Sequence, residues 1–404
     1  MPENKDNKIL NVPNLRFPKF EGEWKKCRFK DVVRLFRGSS PRPIIEYLTT
    51  DNEEGVNWVK IGDVPTSGRI ITSTEEKITK EGAKKSRHVY VGDLILSNSM
   101  SYGLPYIMGI EGCIHDGWFV LRDYEQNFNK DYLCNLLISD IVQKQYKKIA
   151  AGGVVQNISS DLVNSVYISI PSLDEQRKIA GLLSLIDERI STQDKIIEDL
   201  KKLKSAIIEW HYGQVEKQNV CIGDLGEPFN VGNLAKEDLT ETGMPCVIYG
   251  ELFTTYGETI SQIESHTNKV EGMILSKKGD LLFPSSTTVD AMSLIAPSVI
   301  NVDGVILGGD MFGIHITPNS NAQYLSYYFN HIAKRQLAKF AKGSTIIHLH
   351  YADIEKAKLL LPSLEEQNRM ANCLISLDTK INIERIFISL LNSQKAYLLR
   401  QMFI

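Results

Sequence analysis

Pro171-Ser172-Leu173-Asp174-Glu175-Gln176 recurs 191 residues later as Pro362-Ser363-Leu364-Glu365-Glu366-Gln367. When residues 171–190 are aligned with residues 362–381, 9 of the 20 positions are identical. The similarity continues upstream, where Gly92-Asp93-Leu94-Ile95 matches Gly279-Asp280-Leu281-Leu282. A period of about half the 404-residue chain is far longer than a solenoid repeat. The sequence therefore predicts two tandem copies of one unit, which together form a pseudo-twofold internal repeat.

A long helix is predicted at the end of each copy. Ser172 and Ser363 each follow a proline and precede a glutamate by three residues, which is the pattern of a capping box at a helix start. From there, apolar residues follow in steps of three and four, which predicts a heptad seam in both copies. The predicted coiled-coil interface comprises Ile179, Leu183, Ile186, Ile190, Ile197, Leu200, Ile207, Met370, Leu374, Leu377, Ile381, Ile388, Leu391 and Leu398.

The polar interruptions of the two seams also coincide, because Gln193 matches Glu384 and Lys204 matches Lys395. Two amphipathic helices could instead pack separately, each on its own core. The shared register and the shared interruptions favour two helices that pack on each other. Because a globular domain lies between the helices in the sequence, we expect an antiparallel coiled coil.

The remaining sequence predicts two globular domains of the mixed α+β class with short strands. Residues 89–96 have a strand–turn–strand pattern, which residues 273–283 repeat. Residues 132–150 and 322–341 have helical periodicity, and residues 211–217 are expected to form a loose connection. The predicted organisation is a globular domain, a helix, a second globular domain and a second helix, over 1–170, 171–216, 217–361 and 362–404.

The composition restricts the class of protein. With 43% hydrophobic and 24% charged residues, the chain has enough apolar surface for globular cores. No window approaches the roughly 18 consecutive apolar residues of a membrane span, and the first residues lack the apolar core of a signal peptide. The six cysteines form no Cys-x-x-Cys pair, which is typical of a reduced, cytoplasmic protein. We therefore expect no membrane association.

Motifs of common catalytic sites are missing from the sequence. It contains no phosphate-binding loop, no dinucleotide-binding glycine pattern and no serine nucleophile elbow. The Glu-x-Lys tripeptides at 23–25 and 75–77 are interpreted as solvated charge. His348-Leu349-His350 would place two imidazoles on one face of a strand, but no third ligand is evident, so we expect no metal site. An enzyme with an unrecognised site stays a weaker alternative.

The charge distribution points to local contacts with a polyanion. The net charge of −3 argues against uniform binding to nucleic acid, yet residues 25–42 hold seven basic side chains against one acidic side chain. Residues 1–170 carry 23 basic and 21 acidic side chains, whereas residues 216–361 carry 11 and 16. Loops rich in serine, asparagine and glutamine accompany the basic clusters, and such side chains can read base edges. The predicted DNA-binding residues are Lys25, Lys26, Arg37, Ser39, Arg42, Lys84, Lys85, Arg87, Asn98, Ser99, Tyr102, Lys147, Gln156, Asn157, Lys277, Ser285, Ser286, Thr287, Lys339, Lys342, His348 and His350.

In this organisation, the sequence resembles the specificity subunit of type I restriction–modification enzymes. The resemblance covers nearly the whole chain and rests on the tandem units and on the helix starts at 171–176 and 362–367. It is supported by the stretches Val12-Pro13-Asn14-Leu15-Arg16-Phe17-Pro18-Lys19-Phe20-Glu21-Gly22-Glu23-Trp24 and Gly92-Asp93-Leu94-Ile95-Leu96-Ser97. The resemblance implies target-recognition domains over 1–170 and 217–361, with spacer helices over 171–216 and 362–404.

The resemblance also implies a function in which this chain performs no catalysis. In that family, the two recognition domains read the two halves of a split, asymmetric sequence in double-stranded DNA, and the helices set the gap between the halves. Two methyltransferase (modification) subunits use S-adenosylmethionine to methylate adenine N6, and two motor–nuclease (restriction) subunits use ATP and Mg²⁺. No cofactor is expected on this chain itself.

A coiled-coil scaffold that spaces two protein-binding domains is the alternative from another class of protein. A salt-dependent affinity for DNA would distinguish the two interpretations, because phosphate contacts release counterions and protein contacts need not.

Overall fold

The structure, a computed structural model, describes residues 10–65, 68–98, 103–150 and 157–404, and only the backbone of residues 149 and 150. The chain divides into two compact units. The first unit comprises Met1–Lys195 together with Arg385–Ile404, and the second unit comprises Ile196–Glu384. Each unit therefore contains a globular domain, part of the first long helix and part of the second.

The first unit is built from short strands and short helices. Its strands are β1 (Lys25–Arg28), β2 (Arg34–Arg37), β3 (Leu48–Thr49), β4 (Val56–Val59), β5 (Ile70–Ile71), β6 (Glu76–Ile78), β7 (Arg87–Val89), β8 (Leu94–Ser97), β9 (Pro105–Met108), β10 (Gly112–Ile114), β11 (Trp118–Arg122) and β12 (Tyr167–Ile170). Its short helices are α1 (Lys80–Lys84), α2 (Lys130–Ile138), α3 (Asp140–Ala150) and α4 (Ser160–Ser165), and the long helix α5 (Leu173–Gln214) follows.

Two five-stranded sheets form the body of the first unit, in the orders β2-β11-β8-β9-β5 and β3-β6-β4-β10-β7. The side chains of the central strand β8 pack into two different cores, one on each face of the sheet. Leu94 and Leu96 pack into the core that includes the helices, whereas Ile95 packs into the core between the sheets. This follows from the strand's alternation of side chains between its two faces. A separate antiparallel pair, β1 with β12, leads into α5.

The second unit repeats these strands in the same order, with a partly different set of short helices. Its strands are β13 (Gln218–Cys221), β14 (Gly226–Asn230), β15 (Leu239–Thr240), β16 (Met244–Ile248), β17 (Thr259–Ile260), β18 (Ser265–Thr267), β19 (Ile274–Leu275), β20 (Asp280–Pro284), β21 (Ser286–Thr287), β22 (Ser298–Ile300), β23 (Ile306–Gly308), β24 (Met311–Ile316), β25 (Ile347–His348) and β26 (Lys358–Leu361). Its helices are α6 (Glu251–Thr254), α7 (Ala291–Leu294), α8 (Ala322–His331), α9 (Lys334–Leu337) and α10 (Tyr351–Ile354), followed by the second long helix α11 (Leu364–Gln401).

The sheet topology of the second unit matches that of the first strand by strand. Its five-stranded sheets have the orders β14-β24-β20-β22-β17 and β15-β18-β16-β23-β19, and β13 pairs with β26. Leu281 and Phe283 of the central strand β20 face the helices, and Leu282 faces the other sheet. The two mixed α+β units therefore confirm the predicted internal repeat. The short pair β21 with β25 is an additional feature of the second unit among the described residues.

The repeated Gly-Asp pair makes the same turn before both central strands. Gly92 and Gly279 have φ values of +91° and +93°, a region that favours glycine. The following Asp93 and Asp280 each accept a hydrogen bond from the backbone N–H three residues earlier, at 3.0 and 2.8 Å. The strands on the two sides of each turn belong to different sheets. The strand–turn–strand pattern therefore marks the point at which the chain passes from one sheet to the other.

The repeated glutamine of the helix start anchors each long helix to its domain. The Gln176 side chain accepts from the backbone N–H of Asn129 at 2.8 Å and donates to the Pro171 carbonyl at 3.0 Å. Gln367 makes the matching bonds to Asn321 and Pro362, both at 2.9 Å. Since Asn129 and Asn321 cap α2 and α8, the motif joins two helix starts in each unit.

The capping serines accept backbone hydrogen bonds, from Glu175 at 3.3 Å and from Glu366 at 3.4 Å. Instead of reaching back to the cap, the Glu175 side chain pairs with Arg16 at 2.8 Å and Glu366 pairs with His211 at 2.9 Å. The glutamates of the predicted capping boxes therefore form tertiary contacts.

The long helices pack antiparallel within each unit. In the first unit, Asp187 of α5 pairs with Lys395 of α11, and the Arg189 guanidinium lies over the Phe387 ring. In the second unit, Lys204 of α5 pairs with Asp378 of α11 at 2.7 Å. The described helices contain 42 and 38 residues. The predicted interface residues are all buried or half-buried.

Two local expectations change. The helical pattern of 132–150 forms two helices, because Ser139 adopts extended backbone angles and its hydroxyl donates to the Leu136 carbonyl at 2.6 Å. The loose connection expected over 211–217 is wrong for its first half. Helix α5 continues to Gln214, and His211 is buried against Glu366.

Neither a membrane-spanning helix nor a metal-ligand cluster was found among the described residues. None of their helices is both long enough and apolar enough to cross a bilayer. The same residues contain no group of three or more His, Cys, Asp or Glu side chains placed to hold a metal ion.

Candidate nucleic-acid interface

A loop at the end of β10 gathers polar side chains from three segments of the first unit. The Ser40 hydroxyl donates to one carboxylate oxygen of Asp116 at 2.7 Å, and Arg42 lies 3.4 Å from the other. Arg37 and Asn98 both donate to the Asp116 carbonyl, at 3.2 and 2.8 Å. These five residues form the Asp116 cluster. The hydrogen bond from Ser40 is the main cause that holds the pKa of Asp116 below its usual value, so the carboxylate stays charged and organises its neighbours.

Two exposed cations extend the Asp116 cluster. Arg87 donates to the carbonyl of Arg37 at 3.2 Å, and its guanidinium lies 5.5 Å from the Phe36 ring. The Ser39 hydroxyl donates to the Lys85 carbonyl at 3.2 Å. The structure thus brings together six residues that the sequence indicated separately, namely Arg37, Ser39, Arg42, Lys85, Arg87 and Asn98.

The second unit has a cluster of different chemistry. Ser286 lies opposite His348 in the β21–β25 pair. The imidazoles of His348 and His350 stack with centroids 6.1 Å apart. Lys342 pairs with Asp353, and Asp353 accepts from the backbone N–H of His350 at 3.0 Å. These five residues form the His348 cluster, in which the hydrogen bond from Lys342 is the main cause of a lowered Asp353 pKa.

The backbone around Asn98 of the Asp116 cluster matches that around Ser285, which directly precedes Ser286 of the His348 cluster. In the first unit, Asn98 donates through its backbone N–H to Gly117 at 2.9 Å and accepts from Ile158 at 2.8 Å. In the second unit, Ser285 donates to Asp310 at 2.8 Å and accepts from Leu349 at 2.9 Å. Asn98 and Ser285 each directly follow the central strand of their unit, β8 and β20. Asn98 and Ser285 therefore occupy equivalent positions, and the two clusters are built from different segments beside them.

Some predicted residues lie inside the protein. Asn98, Ser285 and Ser286 are 3%, 3% and 8% exposed. A buried side chain of this kind holds the loop and leaves contact with a ligand to its exposed neighbours. Thr287 is half-buried, and its hydroxyl accepts from the backbone N–H of Val289 at 3.2 Å.

Other predicted residues lie outside both clusters. Lys25 and Lys26 are on β1, which pairs with β12 next to the start of α5. Lys277 precedes β20, at the opposite end of that strand from Ser285. Lys84 pairs with Glu81 at 2.7 Å. Three further predicted residues are exposed, namely Lys147, Asn157 and Lys339. Ser99, Tyr102 and Gln156 lie outside the described residues.

Sequence reasoning missed the acidic residues that organise both clusters. Asp116 and Asp353 repel phosphate, so their charge alone gave no reason to select them. It also missed a 730 Å³ cavity beside the Asp116 cluster, whose lining includes Trp58, Ile44 and His115. In the second unit, Leu234 packs directly over Gly308, where an added Cβ would meet it at 2.3 Å. Both features depend on long-range packing, which the sequence does not display.

The chain is similar to known proteins in sequence and in fold. The profile of the type I restriction modification DNA specificity domain matches the chain twice, over 21–202 and 214–391. The chain is 23% identical over 415 residues to the type I restriction enzyme MjaVIII specificity subunit of Methanocaldococcus jannaschii, which covers 94% of this chain and 91% of that protein. It is 21% identical over 203 residues to the StySPI specificity subunit of Salmonella potsdam, covering 46% and 42%.

Among solved structures, the S subunit of the type I restriction-modification system from M. genitalium matches with a TM-score of 0.57 at 14% identity, covering 97% of this chain and 99% of that one. A chain from a study of complex assembly and conformational transition of the type I R-M system matches with a TM-score of 0.60 at 17% identity, covering 93% and 96%.

Two units of one topology, each containing segments of an antiparallel helix pair, define the class of two-domain specificity subunits. With both halves matched by the family profile, the chain belongs to the type I restriction–modification DNA specificity family. It is a specificity subunit of such a system.

Proposed function

We propose that this chain reads a bipartite, asymmetric target in double-stranded DNA, one half with each globular domain. The observation that carries the proposal is a polar cluster next to the end of the central strand in each unit, with different side chains. An arginine- and serine-rich set lies beside this strand end in the first unit, and a histidine pair lies beside it in the second. Proteins read different bases through different side chains on a common scaffold. Two such clusters on one chain suit a target whose halves differ.

The exposed cations suit a polyanionic ligand. Arg42 of the Asp116 cluster and its neighbours Lys85 and Arg87 are exposed, as are Lys342 of the His348 cluster and Lys339, three residues before it in the sequence. Contacts of this kind with phosphate position a protein on the duplex without reading its sequence. We therefore assign affinity mainly to the cations and discrimination mainly to the polar and imidazole groups.

We further propose that the long helices recruit two methyltransferase and two motor–nuclease subunits, which carry the chemistry with S-adenosylmethionine, ATP and Mg²⁺. Ile196, Leu203 and Trp210 recur at intervals of seven on α5 and are exposed, Trp210 by 68%. Residues spaced by seven lie on one face of a helix, and a large exposed apolar face is typical of a protein interface. The six cysteines are all free, which suits assembly in the reducing cytoplasm.

The test is a map of N6-methyladenine in cells that express this chain with the methyltransferase of its system. Cells that lack only this chain serve as the control. A new split, asymmetric motif is the expected result. Replacing residues 217–361 by those of a related subunit should change one half of the motif and leave the other half intact.

The scaffold alternative makes the opposite prediction. A stable complex with the methyltransferase, without any new methylation motif and without salt-dependent binding of DNA, would exclude DNA recognition. Turnover by the isolated chain would instead support an unrecognised enzyme.

A further inference from the structure

A buried ionic cluster joins the globular domain of the second unit to the helices. Lys204 of α5 is 7% exposed and lies 2.7 Å from Asp378 of α11 and 3.1 Å from Glu258. The Tyr327 hydroxyl of α8 donates to Asp378 at 2.6 Å, and His331 lies 3.1 Å from Glu258. We call these five residues the Lys204 joint. It links both long helices, α8 and the residue before β17.

The groups of the Lys204 joint make further contacts with one another. The Lys204 ammonium also lies 4.6 Å from the centroid of the Tyr327 ring. Burial alone would raise the pKa of Glu258, but the hydrogen bond with His331 and the charge of Lys204 outweigh it and lower the pKa to about 2. Buried ion pairs of this kind contribute little net stability, and their best-established role is to select one register or orientation.

The first unit has residues at the positions equivalent to the Lys204 joint, but they make different contacts. Lys395 pairs with Asp187 there, in the positions of Lys204 and Asp378. Where the second unit has Glu258 before β17, the first has Arg69 before β5, and Arg69 donates to Asn135 at 2.8 Å. A second cation replaces the second carboxylate. Within the described part of the first unit, the helix lysine therefore has no ionic bond to the residue before the edge strand.

We propose that Lys204, held by Glu258 and Asp378, is a positioning residue that fixes the second recognition domain on the helices and makes the subunit strict for the distance between the two half-sites. The inference rests on the proposed function, since only a bipartite target has such a distance. A domain held through four elements resists rotation about the helices, and a target with the wrong separation would require that rotation.

The experiment compares spacer tolerance in the full complex with the methyltransferase. After the wild-type motif has been mapped, duplexes are made with the native separation and with one base pair added or removed. The variant K204M/E258Q/D378N removes every charge at once, which avoids leaving a buried charge unpaired. We expect its methylation of the native duplex to stay within about threefold of wild type, while its preference for the native separation falls about tenfold, because small misplacements carry large rate costs.

The matched control removes an exposed pair from the same helix. Lys202 and Asp199 lie 3.7 Å apart and are 77% and 78% exposed, so K202M/D199N should leave the preference unchanged. Tyr327→Phe removes the hydroxyl that donates to Asp378 and leaves all the charges in place, and it should weaken the preference in the same direction if the triple variant does not fold.

Each outcome decides the matter. A variant that folds and keeps the wild-type preference overturns the proposal. Equal losses on all three duplexes assign the joint a purely structural role and also overturn it. If the wild-type complex itself methylates no split motif, the proposed function fails first, and this result is distinct because it needs no variant.

Discussion

The two units share a topology but differ in which aromatic residue packs against their helices α2 and α8. The first unit uses the C-terminus of the chain, where the Phe403 ring stacks on Tyr132 with centroids 5.1 Å apart. The second unit uses the end of α5 at the equivalent position, where Tyr212 lies 5.6 Å from Tyr328. The first unit has an open cavity beside Trp58, and in the second unit Leu234 packs over Gly308. A duplicated frame therefore tolerates changes in packing and in charge while its backbone pairing is kept.

Charge shows the same contrast. Residues 1–170 carry two more basic than acidic side chains, and residues 216–361 carry five more acidic than basic ones. The Asp116 cluster is bordered by Lys85 and Arg87 in addition to Arg42, which pairs with Asp116, whereas the His348 cluster contains one lysine, which pairs with Asp353. We infer that the first unit contributes more of the affinity for DNA and that the second contributes mainly discrimination.

The largest expected effect concerns the aromatic residues Phe403 and Tyr212, which pack at equivalent positions of the two units. Phe403→Ala should destabilise the first unit by about 3–5 kcal/mol, the usual cost of removing a buried aromatic ring. Tyr212→Ala, at a half-buried position, should cost the second unit about 1–2 kcal/mol. Hydrogen–deuterium exchange of the full chain measures each unit separately. Equal losses in the two units would contradict the comparison.

The second expected effect concerns the stability of the second unit at low pH. The lowered pKa of Glu258, about 2, means that its contribution is fully present above its unfolded pKa near 4.5 and is lost as the pH falls toward 2. This pH-dependent part is on the order of 3 kcal/mol, and the cost of burying the charges offsets it in the net stability. Glu258→Gln should remove this part of the pH dependence of unfolding in the second unit. Arg69→Gln should leave the pH dependence of the first unit unchanged between pH 4.5 and 2, because arginine does not titrate there.

The third effect tests the division of affinity. K85A/R87A should weaken DNA binding by about tenfold at moderate salt and lower the slope of log affinity against log salt by about 2, because each of the two cations would neutralise one phosphate. K339A/K342A should have a smaller effect, because Lys342 is already engaged with Asp353. Fluorescence anisotropy over a salt series gives both values. A larger effect in the second unit would reverse the assignment.

The smallest expected effect concerns the discrimination between bases, which we assign to the polar and imidazole groups. His350→Ala should relax one half of the methylation motif with a loss of about 1 kcal/mol in discrimination, near the lower limit for one base contact. Lys339→Ala, a nearby exposed cation, should weaken binding without relaxing the motif. Methylation maps of the two variants show the difference, and relaxation of both halves by His350→Ala would argue against a local role.

The sequence could predict features that repeat over short distances. The duplicated helix start, the heptad spacing and the Gly-Asp turns are local patterns, and each gave an element or a class that the structure bears out. Even the polar interruptions were visible, since Lys204 and Lys395 stand at matching positions. The break at Ser139 was not predictable from periodicity, because the apolar spacing continues through it while one hydroxyl bond ends the helix.

Long-range partners could not be read from the sequence. Six predicted residues of the first unit meet near Asp116, but nothing local distinguishes them from Lys25 and Lys26, which lie on β1. Periodicity and capping depend on neighbours within a few residues, so the sequence alone determined the repeat, the helices and the family. The partner of a charged side chain depends on which distant strands and helices fold beside it. Only the tertiary structure therefore decided that Lys204 meets two carboxylates, whereas Lys395 meets one carboxylate and lies near Arg69.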